Sequence, residues 1–277
     1  IARTQHDSLS QMLRENRWFE NTDRLFINAS GANEDTPSGG DQKTSHLTLG
    51  YNSAVSPAMS LGAALSMSKH ETDTDGADFS ASSVGLSGLL NYRDGQWLAE
   101  GSAGLNVIDY SDLDRHFNLG DRALTASGGS DGYGWHLDGQ VAYELSSSKN
   151  ISIAPALGAR FLTGAVDGYT ESGGAVSNYQ WGEQSRQSRQ LRAGLLANLS
   201  VNGGINLYAE VFSVSELEDA DETIEVTNTN LGYASYRMPS YRADGDNFVD
   251  ASIGAAVLFD KSRLALNVNY SDEGEGR

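Results

Sequence analysis

Met59-Ser-Leu-Gly-Ala-Ala-Leu-Ser-Met-Ser68 puts an apolar side chain at every odd position and a small one at every even position. A period of two belongs to a strand whose faces meet different surroundings, because a helix would group residues three and four apart. The same alternation recurs along the chain. Trp97, Ala99, Ala103, Leu105 and Val107 alternate with Glu100, Ser102, Gly104 and Asn106. Tyr133, Trp135, Leu137, Val141 and Tyr143 alternate with His136, Asp138, Gln140 and Glu144. Leu191, Ala193, Leu195, Ala197 and Leu199 alternate with Gln190, Arg192, Asn198 and Ser200, and Leu264, Leu266, Val268 and Tyr270 with Arg263, Asn267 and Asn269.

Eleven such segments are expected, at 22–33, 43–55, 58–70, 79–93, 96–109, 132–145, 150–165, 186–202, 205–217, 246–259 and 262–272. Their length suits the roughly 9–11 residues that a tilted strand needs to cross hydrocarbon. Their connections alternate strictly between short and long. Val55-Ser-Pro57, Asp94-Gly95, 146–150, Asn202-Gly-Gly204 and Asp260-Lys-Ser262 are tight, whereas 34–42, 71–78, 110–131, 166–185 and 218–245 read as long polar loops. Tight turns on one rim and long loops on the other predict an all-β fold, an antiparallel up-and-down transmembrane β-barrel. Tyr92, Trp97, Tyr110, Tyr133, Trp135, Tyr143 and Phe259 near strand ends would form its interfacial girdles. A soluble β-sandwich also alternates, but its wet faces would carry Lys and Glu rather than Ser, Gly, Ala and Asn.

Composition narrows the function. The 277 residues include 31 Gly, 4 Pro, no Cys, and 19 basic against 37 acidic side chains, a net charge of −18. That balance repels phosphate backbones and no basic cluster interrupts it, so no nucleic-acid partner is expected. Absence of Cys removes disulfides, zinc ribbons and thiol chemistry together. No run of about 18–20 apolar residues could make a spanning helix. The start at Ile1 carries no basic and then apolar leader, so a signal peptide has been removed or the chain is an internal fragment.

The first residues differ. In Asp7-Ser-Leu-Ser-Gln-Met-Leu-Arg-Glu-Asn-Arg-Trp18 the apolar positions Leu9, Met12, Leu13 and Trp18 sit at helical spacing, with Asp7 or Ser8 as N-cap. Residues 1–21 are therefore read as linker and pore helix, and 22–277 as barrel. The helix carries Arg3, Arg14 and Arg17, while the polar strand faces carry Glu100, Asp138, Glu144, Glu210 and Asp250 beside Arg160 and Arg192. A basic helix in an acidic lumen would be electrostatically matched. A helix docked outside the pore on the short-turn rim is the other reading of the same residues.

Chemistry is sparse. His6-Asp-Ser-Leu9 holds the last three letters of the GDSL block of serine esterases, but its Gly is missing and Leu113, not Asp, lies three residues before His116. His6, His46, His70, His116 and His136 show no i, i+2 or i+4 pairing, so no metal site is expected. Asp112, Asp114, His116, Asp219 and Asp221 offer the residue types of an Asp/His rim protease; hydrated acidic loops are the simpler reading. Gly128-Gly-Ser-Asp-Gly-Tyr-Gly134 does not open a helix, which disfavours a phosphate cradle. No catalytic residue and no cofactor are expected.

An amphipathic helix, a first strand and strictly alternating loops together resemble the C-terminal translocator domain of autotransporters, the type V secretion proteins of Gram-negative bacteria. Asn91-Tyr-Arg-Asp-Gly-Gln-Trp97, Tyr110 to Arg122, Val166-Asp-Gly-Tyr-Thr-Glu171 and Tyr236-Arg-Met-Pro-Ser-Tyr-Arg242 are similar to the translocators of GDSL-type esterase autotransporters. The resemblance implies a surface-anchored esterase passenger N-terminal to Ile1, so no catalytic residue transfers to this chain. It also implies an outer-membrane location with long loops outside, and as partners lipid, lipopolysaccharide, the barrel-assembly machinery and the passenger itself. Barrels of this family have twelve strands and end in an aromatic residue. About eleven are read here, before Ser271-Asp-Glu-Gly-Glu-Gly-Arg277, which implies one further strand. The alternatives are a barrel enzyme acting on lipid or peptide, and a passive porin or adhesin.

Overall fold

The computed structural model describes residues 13, 17, 24–35, 40–74, 76–146, 150–201, 204–218, 220–230, 235–243, 247–259 and 262–271. Eleven strands form one curled antiparallel sheet. In chain order they are β1 (Arg24–Asp35), β2 (Asp41–Ser56), β3 (Met59–Asp73), β4 (Ala77–Asp94), β5 (Trp97–Leu119), β6 (Arg122–Tyr143), β8 (Ile151–Val166), β11 (Gln184–Val201), β12 (Ile205–Glu216), β15 (Asn247–Phe259) and β16 (Ser262–Ser271). Each pairs with the next in that order. Between β6 and β8, the two-residue β7 (Leu145–Ser146) resumes β6 after Glu144 and pairs with the same neighbour. Among the described residues β1 pairs only with β2 and β16 only with β15.

Alternation became facing. The odd positions of β3, such as Leu61, Leu65 and Met67, are exposed on the outer face, while Ser60, Ala64, Ser66, Ser68 and His70 are buried inside. The outer face is apolar to an extent no water-facing sheet tolerates, with Leu25 75%, Leu105 69% and Leu266 71% exposed. Such an even apolar band is stable in hydrocarbon, where the sheet also satisfies the backbone groups within it.

Short turns close one rim. Gly95 has φ +57, in the left-handed region that a side chain resists, which lets Asp94 and Trp97 pair across two residues. Neighbouring turns are tied together there: Arg93 N–H donates to Ala58 O at 2.7 Å and Glu144 N–H to Gln96 O at 2.7 Å.

The opposite rim departs from the expected loops. Residues 110–131 are not a loop but the far halves of β5 and β6, closed by Gly120 with φ +67. A register irregularity at Tyr110/Leu113, with Asp112 at φ 54, lets the hairpin continue past the band. The stretches 166–185 and 218–245 likewise hold strands: β9 (Tyr169–Thr170), β10 (Tyr179–Trp181), β13 (Ala220–Asn228) and β14 (Ser235–Ala243). They form a second antiparallel sheet in the order β14-β13-β10-β9. Polar composition suggested loops because these strands lie above the apolar band and need no lipid-facing side chains.

Candidate functional site

The interior is built from inward positions of neighbouring strands, and charge concentrates there. Leu13 and Arg17, the two described residues ahead of β1, both have helical backbone and are buried. Leu13, 1% exposed, packs with Ala64 of β3 and Leu89 of β4, against which Phe26 of β1 also lies.

Arg17 spans the cavity. Its Nε donates to Glu100 Oε2 at 2.9 Å, its Nη2 pairs with Glu100 Oε1, and its Nη1 donates to Glu210 Oε2 at 3.1 Å. Glu100 belongs to β5 and Glu210 to β12, four places further along the sheet. Only a group standing between opposed walls can bridge them. Gln140, directly opposite Glu100 in the β5–β6 register, donates to Glu100 Oε1 at 2.7 Å and holds the carboxylate in place. The Arg17 carbonyl accepts from Arg93 Nη1 at 3.5 Å, and Arg93 Nη2 reaches Glu144 Oε2 at 2.8 Å. Ser152 bonds the other oxygen of Glu144.

A second cluster lies on the wall. Asp138 of β6 faces Arg160 of β8 in register, with Arg160 Nε donating at 3.0 Å, and Arg192 Nη2 of β11 reaches both Asp138 oxygens at 3.0 and 2.9 Å. Leu98, Ala142, Ala154, Ala156, Leu196, Phe212, Val214 and Phe248 form an apolar group on the inner face, so the lumen is partly filled by hydrocarbon rather than wholly polar.

Of the residues singled out from the sequence, Arg17, Glu100 and Glu210 meet in one cluster and Asp138, Arg160 and Arg192 in another. Glu144 pairs with Arg93 instead. Asp250 lies half-buried on the inward face of β15 and joins none of the ion pairs among the described residues. Arg3 and Arg14 lie outside the described residues, as do His6, Asp7 and Ser8. The parts played by Arg93, Gln140 and Ser152 are not readable from the sequence, because their partners lie on other strands and spacing in one strand does not reveal them.

At the long-hairpin rim one arginine organises the second sheet. Arg115 of β5 makes a two-pronged bond to Glu171, at 3.1 and 2.8 Å, and donates to Ser177 O at 2.6 Å. Glu171 also accepts from Trp181 Nε1 and from the Tyr179 amide, each at 2.9 Å. The guanidinium lies over the rings of Phe117 and Tyr179, 4.6 and 4.7 Å from their centroids. Its bond to Glu171 raises the Arg115 pKa. Burial, and then the charge of Glu171, push the Tyr169 phenol up to about 12. His116 bonds Asp78 Oδ2 at 2.9 Å and Thr125 Oγ1 at 3.0 Å, a polar ladder across three strands, and its hydrogen bond lowers the Asp78 carboxyl. Asp112 is exposed on its own turn of chain, Asp219 lies outside the described residues, and the Asp221 side chain is likewise outside them.

A charge-bridged lumen under a lipid-facing strand wall meets the family comparison directly: residues 25–271 match the autotransporter beta-domain. The chain belongs to the autotransporter β-domain family. It is 30% identical over 205 residues, 73% of this chain and 35% of the relative, to an uncharacterized protein in the trpE-trpG intergenic region of Pseudomonas putida. It is 25% identical over 227 residues, 79% of this chain and 35% of the relative, to Esterase EstA of Pseudomonas aeruginosa. The β-domain thus spans about a third of the length of the curated relatives it matches. Its fold is similar to the translocator domain of autotransporter NalP from Neisseria meningitidis, with a TM-score of 0.72 at 16% identity, covering 98% of this chain and 89% of that one. The β-domain is accordingly a translocator barrel of the Gram-negative outer-membrane type.

Proposed function

We propose that this β-domain exports and then anchors an N-terminal esterase passenger, with residues 1–21 left in the lumen as plug and tether. The observation that carries the reading is Arg17, held between Glu100 and Glu210 from opposed parts of the wall. A segment that immediately precedes β1 and bonds both walls is a polypeptide inside a conduit. Direction follows from its neighbours. Arg17 contacts Arg93, two residues from the short turn, and β1 begins at that rim, so the chain descends from Leu13 towards it. On this reading a passenger would emerge at the rim of the long hairpins.

The remaining partners follow from that orientation. The long hairpins and the second sheet face outward, among lipopolysaccharide, and the barrel-assembly machinery inserts the strands. The named likeness to Esterase EstA supports an ester-hydrolysing passenger; the barrel itself binds and guides.

The complete protein, expressed in a Gram-negative host, tests this. Intact cells are expected to hydrolyse a short-chain ester, and external protease is expected to remove that activity while leaving a membrane-protected fragment that retains residues 13–17. Hydrolysis that appears only after lysis would overturn the export reading. A protected fragment beginning after residue 21 would overturn the plug.

A further inference from the structure

His46 and His70 are distant in sequence yet diagonal neighbours in the sheet. The β2–β3 register pairs His46 with Ser68 and His70 with Thr44, so the two histidines are offset by two positions on adjacent strands. Both face inward and each is only 4% exposed. Diagonal positions of this kind lie about 7–8 Å apart at Cα, within mutual reach of long side chains.

Each ring spends one nitrogen on a threonine. His46 Nε2 bonds Thr48 Oγ1 at 2.7 Å, and His70 Nδ1 bonds Thr44 Oγ1 at 2.9 Å. His46 Nδ1 and His70 Nε2 are buried and have no hydrogen-bond partner among the described residues. A buried polar atom without a partner is destabilising, and these two are among several such atoms along the inner wall, distinguished by being imidazole nitrogens on adjacent strands. Two such atoms on neighbouring imidazoles share one remedy. If each bonded nitrogen carries the proton and donates to its threonine, each remaining nitrogen presents a lone pair, the arrangement by which outer hydroxyls orient metal-binding histidines. The surrounding inward positions are small: Ser30 opposite His46, Ala81 opposite His70, and the Ser68–Ser83 hydroxyl pair at 2.6 Å.

We propose that His46 and His70 form a two-imidazole site for a borderline divalent transition ion, Cu2+ or Zn2+, on the inner wall of β2 and β3. One tetrahedral ion at the usual Zn–N length would hold the two nitrogens about 3.3 Å apart, with water completing the shell. Imidazole suits these ions, whereas Ca2+ and Mg2+ go to carboxylates. Both of its imidazole donors belong to the wall strands β2 and β3, so failure of this proposal would leave the export reading untouched.

The test uses the complete, untagged protein in detergent, stripped with chelator and held in excess Mg2+ to occupy surface carboxylates. Cu2+ is titrated in and followed by electron paramagnetic resonance and by competition with a chromophoric chelator. One ion per chain with imidazole-nitrogen coupling is expected. His46→Gln and His70→Gln should each weaken it about tenfold or more, while His136→Gln, another buried inward histidine, should leave it unchanged. Variants are compared only where heat-modifiable migration shows a folded barrel. An oxygen-only spectrum in the unsubstituted protein, wild-type affinity in either variant, or an equal loss in His136→Gln would overturn the proposal.

Discussion

Arg17 Nη1 and Glu210 Oε2 stand 3.1 Å apart although 193 residues separate them in the chain. Both side chains are almost wholly removed from solvent, and Glu100 takes the Nε–Nη2 edge of the same guanidinium. One cation thus serves two carboxylates that would otherwise repel each other across the lumen. Removing one partner of such a cluster leaves an uncompensated buried charge, which typically costs about 3–5 kcal/mol.

Arg17→Glu places a third carboxylate between Glu100 and Glu210, so the segment should leave the lumen. Single-channel conductance in planar bilayers is expected to rise well above that of the unsubstituted barrel. Arg17→Lys should fall between the two, because an ammonium cannot engage two oxygens of Glu100 at once. Equal conductance in all three proteins would show that the segment does not obstruct the pore.

Asp138→Ala strands Arg160 and Arg192 without the carboxylate they share. A loss of about 3–5 kcal/mol is expected, read as a lower urea midpoint for unfolding in detergent. Asp138→Asn keeps the volume but not the charge and should lose nearly as much. An unchanged midpoint would mean that the two guanidinium groups find compensation elsewhere on the wall.

Glu171 joins β5 to the second sheet through Arg115, Trp181 and the Tyr179 amide. Glu171→Gln removes the charge from these bonds and should loosen the sheet while sparing the barrel. Trypsin cleavage at Arg237 of β14 should accelerate on the order of tenfold, since a charged hydrogen bond contributes about 1.5–3 kcal/mol. Heat-modifiable migration of the barrel fragment should not change. Cleavage at the wild-type rate would argue that the ring contacts alone hold the sheet.

Tyr169 supplies a pH signature for the same region. Its folded pKa of about 12 exceeds the ordinary value of 10.0, so the folded state keeps the proton longer than the unfolded chain does. Its contribution is therefore complete below pH 10 and is lost as pH rises through 12. The difference in tyrosinate absorbance between the unsubstituted protein and Tyr169→Phe should titrate near pH 12. A difference titrating near pH 10 would place the phenol in water.

The barrel wall was legible in the sequence because lipid and lumen impose opposite demands on alternate residues, which leaves a period of two in strand after strand. Eleven strands expected from that period are the eleven found, nine of them within a few residues, while β5 and β6 each run about ten residues further into the stretch 110–131 that read as a loop. The second sheet was not legible. Its strands, such as Tyr179–Trp181, lie beyond the apolar band, are short, and owe their pairing to Arg115 and Glu171, 56 residues apart.

Charge in the lumen was partly legible, since an inward acidic residue is recognisable by parity alone. Which charges meet was not. Glu144 turned to Arg93, and Arg17 reached two strands that no sequence spacing connects. His46 and His70 looked like scattered histidines until register brought them to diagonal positions. Facing depends on the chain's own alternation, a local property that every residue carries with it. Partnership depends on register and on closure of the sheet around its interior, and these arise only when distant strands have paired.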